Sequence, residues 1–175
     1  MKMKLLSLTT ALVWALTSSA SAEVTTKLSN VHLCCGSCVK GVAAAAGKVA
    51  GAKLACDKDA GTVAITAADN ATVQKAVDAL VGAGYFGTSS NPDIKVASNT
   101  GAADGAVKTL KVTGVHLCCG KCVTAVSNAL KSVKGVTGNN AEKGSETFTV
   151  TGDDFSPKAV FAALEKAGLT GKAGK

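Results

Sequence analysis

Six of the chain's seven cysteines fall in two matching stretches. They are Val31-His32-Leu33-Cys34-Cys35-Gly36-Ser37-Cys38-Val39 and Val115-His116-Leu117-Cys118-Cys119-Gly120-Lys121-Cys122-Val123. Eight of nine positions are identical, the copies lie 84 residues apart, and they contain both histidines of the chain. Each stretch ends in a Cys-x-x-Cys pair, and the thiolate form of such a pair is both a metal ligand and a nucleophile. Two chemistries follow: capture of a metal ion, and thiol–disulfide exchange. Two thiolates are too few for a closed structural zinc site, which takes four ligands. They suit a soft ion such as Cu(I) or zinc, which thiolates select over hard ions. An incomplete ligand set also lets a partner's ligands enter before the first pair leaves.

Such chemistry needs elements that hold each pair at a helix start, and the surrounding sequence supplies them twice. Val42, Val49, Gly51, Leu80, Ala83 and Gly84 match Val126, Val133, Gly135, Leu164, Ala167 and Gly168 at the same offset. Thr62–Thr66 matches Thr147–Thr151 at an offset of 85, a slip that belongs in loops. Two copies at so long a period mean tandem domains, since a solenoid needs three or more.

A strand is expected over 24–33, and over 107–117 in the second copy, where Leu110 and Val112 alternate with polar residues. Val39, Val42, Ala46 and Val49 then recur at helical spacing, as do Val123, Val126, Leu130 and Val133. Short strands are expected over 52–57 and 62–67, turning at Asp59-Ala60-Gly61, and over 136–142 and 147–151. A helix over 70–83 and one opening at Ser156-Pro157 follow, and a glycine, Gly84 or Gly168, ends each. Last strands begin near Tyr85 and Leu169. The order β-α-β-β-α-β predicts an α+β chain of two tandem ferredoxin-like domains, each an antiparallel sheet with two helices on one face. Boundaries are placed at 1–22 for a leader, 23–89 for the first domain, 90–105 for a linker and 106–175 for the second domain. Ile94-Lys95-Val96 belongs either to the linker or to the last strand before it.

In this order each Cys-x-x-Cys lies where a strand passes into a helix, with Cys38 and Cys122 in the first turn and Cys35 and Cys119 just ahead of it. The unpaired N–H groups and the helix dipole there favour the thiolate. The loop, the valine-spaced helix after it, the glycine at 51 and the Ala83-Gly84-Tyr85 ending resemble the heavy-metal-associated domain family. That family includes copper chaperones, the N-terminal modules of copper- and zinc-exporting ATPases, and a periplasmic mercuric-ion binding protein. The resemblance covers both halves apart from the linker. It implies metal ligation by Cys35 and Cys38 and by Cys119 and Cys122, with a membrane metal transporter or ATPase as donor or acceptor. With its leader, the chain looks most like a duplicated form of the periplasmic mercuric-ion member.

The departures are His32-Leu33-Cys34 and His116-Leu117-Cys118, where the family usually has Gly-Met-Thr. Leucine for methionine conserves core volume. Cys34 and Cys118 either serve as third ligands or occupy an exposed position without ligating. As ligands they would shift preference toward Zn(II), Cd(II) or three-coordinate copper. Alternation along the strand turns His32 away from the core-facing Val31 and Leu33, and His32 and His116 are candidates for direct or outer contact with metal. Cys56, with Asn140 at its matching place, is read as a core-like thiol on the second strand. Tyr85 fits the family's bacterial pattern after the second helix and Leu169 does not, so the two sites are expected to differ in affinity or in partner docking.

The chain opens with Met1-Lys2-Met3-Lys4, an apolar run to about Leu16, and Ala20-Ser21-Ala22. These are the three parts of a secretory signal peptide cleaved after Ala22, and the apolar run falls short of the roughly 20 residues that span a bilayer. Export to the periplasm as a soluble protein is the expectation. Cleavage removes Lys2 and Lys4 from 19 basic residues, leaving 17 lysines against 12 acidic groups, and the chain has no arginine. Scattered lysines with few aromatics speak against nucleic acid, whose binders cluster basic residues among stacking rings.

The sequence therefore predicts a soft-metal-binding protein and not an enzyme, carrying Cu(I) first, or Hg(II), Zn(II) or Cd(II). Two alternatives stand beside it: a thiol–disulfide oxidoreductase, and a module stapled by disulfides. Against the first, neither Pro92 nor Pro157 sits beside a dithiol. Against the second, neighbouring cysteines would close only a tiny ring.

Overall fold

The computed structural model describes residues 22–174. The expected leader lies, up to residue 21, outside them. The elements run β1 (Val24–Ser29), α1 (Gly36–Ala46), β2 (Lys53–Asp57), β3 (Thr62–Ala67), α2 (Asn70–Gly82) and β4 (Thr88–Ser89). The same order then repeats as β5 (Val107–Thr113), α3 (Gly120–Lys131), β6 (Val136–Asn139), β7 (Thr147–Phe155), α4 (Pro157–Lys166) and β8 (Lys172–Ala173).

Each half forms a four-stranded antiparallel sheet, ordered β2-β3-β1-β4 and β6-β7-β5-β8. This mixed α+β architecture of four helices and two antiparallel sheets is compatible with ferredoxin-like folds. Alternation along the central strands makes one face of each sheet apolar. Thr26 and Leu28 on β1 and Val63, Ile65 and Ala67 on β3 are buried, as are Leu110 and Val112 on β5 and Phe148 and Val150 on β7. The helices α1 and α2 pack on one another and on the first sheet, and α3 packs on α4 and β6.

Local chemistry sets the helix starts. Asp69 caps α2 by accepting from the Thr72 N–H at 2.7 Å. Ser156 caps α4 by accepting from the Ala159 N–H at 3.4 Å, with proline at the first helical position. The caps of α1 and α3 are Cys35 and Cys119, whose side chains make no capping hydrogen bond. Those two helices therefore begin with sulfur beside unpaired N–H groups.

Several expectations need correction, and the strand expected over 107–117 stops at Thr113, ahead of Gly114 with its φ of 72°. The strand expected over 24–33 stops at Ser29, because Asn30 takes a φ of 59°. Asparagine tolerates this left-handed conformation, and its amide donates to the Lys166 carbonyl at 2.9 Å. Residues 31–35 are thus a loop, and strand alternation does not decide where His32 points. The strand expected over 147–151 continues to Phe155, and the one expected over 136–142 ends at Asn139. Ile94-Lys95-Val96 forms no strand; Ile94 is buried against the core, and the Gln74 side chain binds both the N–H and the carbonyl of Lys95 at 2.8 Å.

The two halves are joined along the turns that follow α2 and α4. Tyr85 and Leu169 form an antiparallel bridge, flanked by Thr170 N–H to Gly84 O at 3.0 Å and Phe86 N–H to Gly168 O at 3.1 Å. The His32 N–H also donates to Gly168 O, at 3.2 Å. Both glycines have positive φ, 86° and 77°. A Cβ on Gly84 would lie 2.6 Å from Gly114 O, and one on Gly168 would lie 2.5 Å from His32 N. Read from sequence as helix stops, these glycines also let each half approach the other's cysteine loop.

Candidate metal centre

The junction brings all six motif sulfurs together. Within the first half, Cys38 Sγ lies 3.6 Å from Cys34 and 3.7 Å from Cys35. Within the second, Cys122 Sγ lies 3.8 Å from both Cys118 and Cys119. The contacts across the junction are as short or shorter. Cys34 lies 3.3 Å from Cys119 and 3.5 Å from Cys122. Cys118 lies 3.6 Å from Cys35 and 3.5 Å from Cys38. The additional cysteine of each half thus sits on the Cys-x-x-Cys pair of the other half. All six are free thiols, well beyond the ~2.05 Å of a disulfide.

Candidate ligand atoms fall into four triads, each within 4.8 Å: Cys34, Cys35 and Cys119; Cys35, Cys38 and Cys118; Cys118, Cys119 and Cys122; and His32, Cys34 and Cys122. The loop expected to be exposed is therefore largely covered by the opposite half. Cys38 and Cys122 are fully buried and the other four sulfurs half-buried.

Position sets the acidity of each thiol. Cys35 is pulled down to about 6, first by the Cys38 backbone N–H and then by the Cys118 thiol. Cys119 is lowered by the matching N–H of Cys122. These are the helix-start positions, where orphan donors favour negative charge. Burial pushes Cys34 and Cys118 well above the ordinary thiol range, helped by hydrogen bonds that they donate to the opposite thiols. Burial also raises Cys122, to about 11. The cluster thus sets two thiols lowered at the helix starts beside three raised by burial.

Both imidazoles are half-buried, burial lowers the pKa of each, and neither Nε2 has a hydrogen-bond partner among the described residues. His32 joins Cys34 and Cys122, whereas His116 stacks on Tyr85 with ring centroids 4.7 Å apart. The Tyr85 hydroxyl donates to the Cys38 carbonyl at 2.9 Å, linking the turn after α2 to the first turn of α1. Cys56 stands apart on β2, half-buried and paired in register with Val63, and burial raises its thiol. Leu33 and Leu117 are buried core residues. Among the described residues no helix is long and apolar enough to cross a membrane.

No family model matches the chain, and no curated protein matches it. Among solved structures, the N-terminal soluble domains of Bacillus subtilis CopA align over 88% of this chain and 95% of that chain, at 16% identity and a TM-score of 0.32. The first two RRM domains of yeast poly(U) binding protein Pub1 align over 86% and 98%, at 14% identity and a TM-score of 0.26. Likenesses at these scores carry no argument about function, so the reading below stands on the thiols.

Proposed function

We propose that the protein binds a soft metal ion, Cu(I) first, at one thiolate centre built by both halves, and that it is a carrier or sequestering protein and not an enzyme. The observation that carries this reading is the convergence of six thiols, with Cys34 and Cys118 each reaching the opposite pair. Burying so many thiols side by side serves no packing need that valine or alanine would not meet better. Soft ions are the cations for which thiolate is the preferred ligand. The core ligands in this reading are Cys35, Cys38, Cys119 and Cys122, with Cys34 and Cys118 completing the set.

Release is supported by a shallow open depression lined by Cys35, Cys119, Gly120, Lys121 and Thr124. The two acidified thiols line it, so an acceptor's ligands would meet exchangeable sulfurs first. A membrane transporter or ATPase in an exported compartment is the proposed partner. An oxidoreductase fits less well, because one member of each pair is fully buried and in contact with three other thiols.

The test is a competition titration of the reduced protein with Cu(I), Zn(II) and Hg(II) under anaerobic conditions, beside a variant with Cys35→Ser and Cys119→Ser. Tight binding that the variant loses is the expected result. Equal affinity in both proteins, or catalytic reduction of a protein disulfide by the unmodified chain, would overturn the reading.

A further inference from the structure

The six sulfurs have a shape of their own. Cys34 touches Cys38, Cys119 and Cys122, and shares a triad with Cys35. Cys118 touches Cys35, Cys38 and Cys122, and shares a triad with Cys119. Cys35–Cys38 and Cys119–Cys122 are in contact, and Cys35 shares a triad with Cys119. No contact or triad joins Cys34 to Cys118, Cys35 to Cys122 or Cys38 to Cys119. Cys38 and Cys122 are likewise unjoined, and the three pairs just named use each sulfur once, as the diagonals of an octahedron do. The contacts supply all its edges but one, Cys38–Cys122. Cys34 and Cys118 are opposite apices, and the two Cys-x-x-Cys pairs form the square between them.

An octahedron offers triangles and no tetrahedra, since any four vertices include an opposite pair. A metal that wants four thiolates, as zinc does, can take them here only by rearranging the cluster. A monovalent d¹⁰ ion content with three thiolates can occupy the closed faces as they stand. Three of the sulfur triads, Cys34-Cys35-Cys119, Cys35-Cys38-Cys118 and Cys118-Cys119-Cys122, are alternate faces that share single vertices. The fourth alternate face, Cys34-Cys38-Cys122, is open along the unjoined Cys38–Cys122 edge, and the unpartnered His32 lies near its Cys34 and Cys122.

From this arrangement we infer that the centre holds a tetranuclear Cu(I)–thiolate cluster, one copper on each alternate face and each sulfur bridging two coppers. The inference rests on the soft-metal reading above. Four Cu(I) and six thiolates leave two negative charges, and six thiols release six protons on filling. The starts of α1 and α3, which both meet the cluster through Cys35 and Cys119, oppose that charge with their dipoles. Shared sulfurs make filling cooperative, because the first copper fixes ligands that its neighbours use.

The experiment is a stepwise anaerobic Cu(I) titration of the reduced full chain, read by native mass spectrometry and by copper K-edge X-ray absorption. Expected are a predominance of copper-free and four-copper species at half loading, a three-sulfur first shell and a copper–copper shell. Saturation at two coppers, or the absence of a copper–copper shell, would overturn the cluster while leaving metal binding intact. Failure to bind any copper would overturn both. Cys34→Ser removes a vertex common to two faces, so capacity should fall from four to two, and a variant that still holds four would refute the assignment. The spectra of the unmodified protein decide the matter should that variant misfold.

Discussion

The two halves meet as equals at the sulfurs and differ just behind them. Each contributes a pair and a third thiol, with contacts across the junction of 3.3 and 3.5 Å on one side and 3.6 and 3.5 Å on the other. Behind the first pair, Tyr85 hydrogen-bonds the loop and stacks on His116. It fits because Gly41 has no Cβ, which would overlap the tyrosine hydroxyl. At the matching places of the second half stand Ala125, larger than glycine, and Leu169, smaller than tyrosine. His116 is therefore committed to a ring contact, while His32 has a nitrogen near Cys34 and Cys122. One imidazole packs against a ring, and the other lies beside two thiols.

The equality is the easier part to break. Replacing Cys35 and Cys38 by serine, or Cys119 and Cys122, should weaken Cu(I) binding equally, and by more than the 10–100-fold typical of losing an outer-shell partner. Competition with a Cu(I) chelator measures this. A variant that keeps half the capacity at undiminished affinity would mean that the halves act separately.

The inequality is tested by His32→Ala against His116→Ala. The first should weaken metal binding about tenfold, in the range of outer-shell partners, with little change in the thermal melt. The second should leave binding intact and cost about 0.5–1.5 kcal/mol of apoprotein stability through the lost ring pair. The reverse pattern would exchange their roles.

The last test lies in packing. Gly41→Ala should cost about 1–3 kcal/mol by overpacking against Tyr85. Adding Tyr85→Leu recreates the pairing of the second half and should return part of that loss, a non-additivity that urea melts of the four cycle members would show.

Element order, the placement of each Cys-x-x-Cys at a helix start and the core periodicity were legible because they depend on neighbours in sequence. Val42, Val73, Val126 and Val160, all fully buried, follow from helical spacing alone. The mutual reach of Cys34 and Cys118 was not legible, since nothing in a strand–loop–helix segment says which half a third thiol will face. The signal that existed lay in Gly84 and Gly168. Both were read as helix stops, which their positive φ satisfies, while their closest neighbours are backbone atoms of the opposite half. Val31 and Leu33 are buried and His32 is not, as alternation implied, although Asn30 ends the strand before these residues.

The segment 90–105, pinned to α2 by Gln74 and to the core by Ile94, also has a thermodynamic role. Tethering two half-sites turns their encounter into an intramolecular event, at an effective concentration in the millimolar range for a short flexible linker. Two untethered halves would have to dimerise to gather six thiols, and their occupancy would fall with dilution. In a single chain the centre assembles at any protein concentration, and metal loading follows the free ion alone.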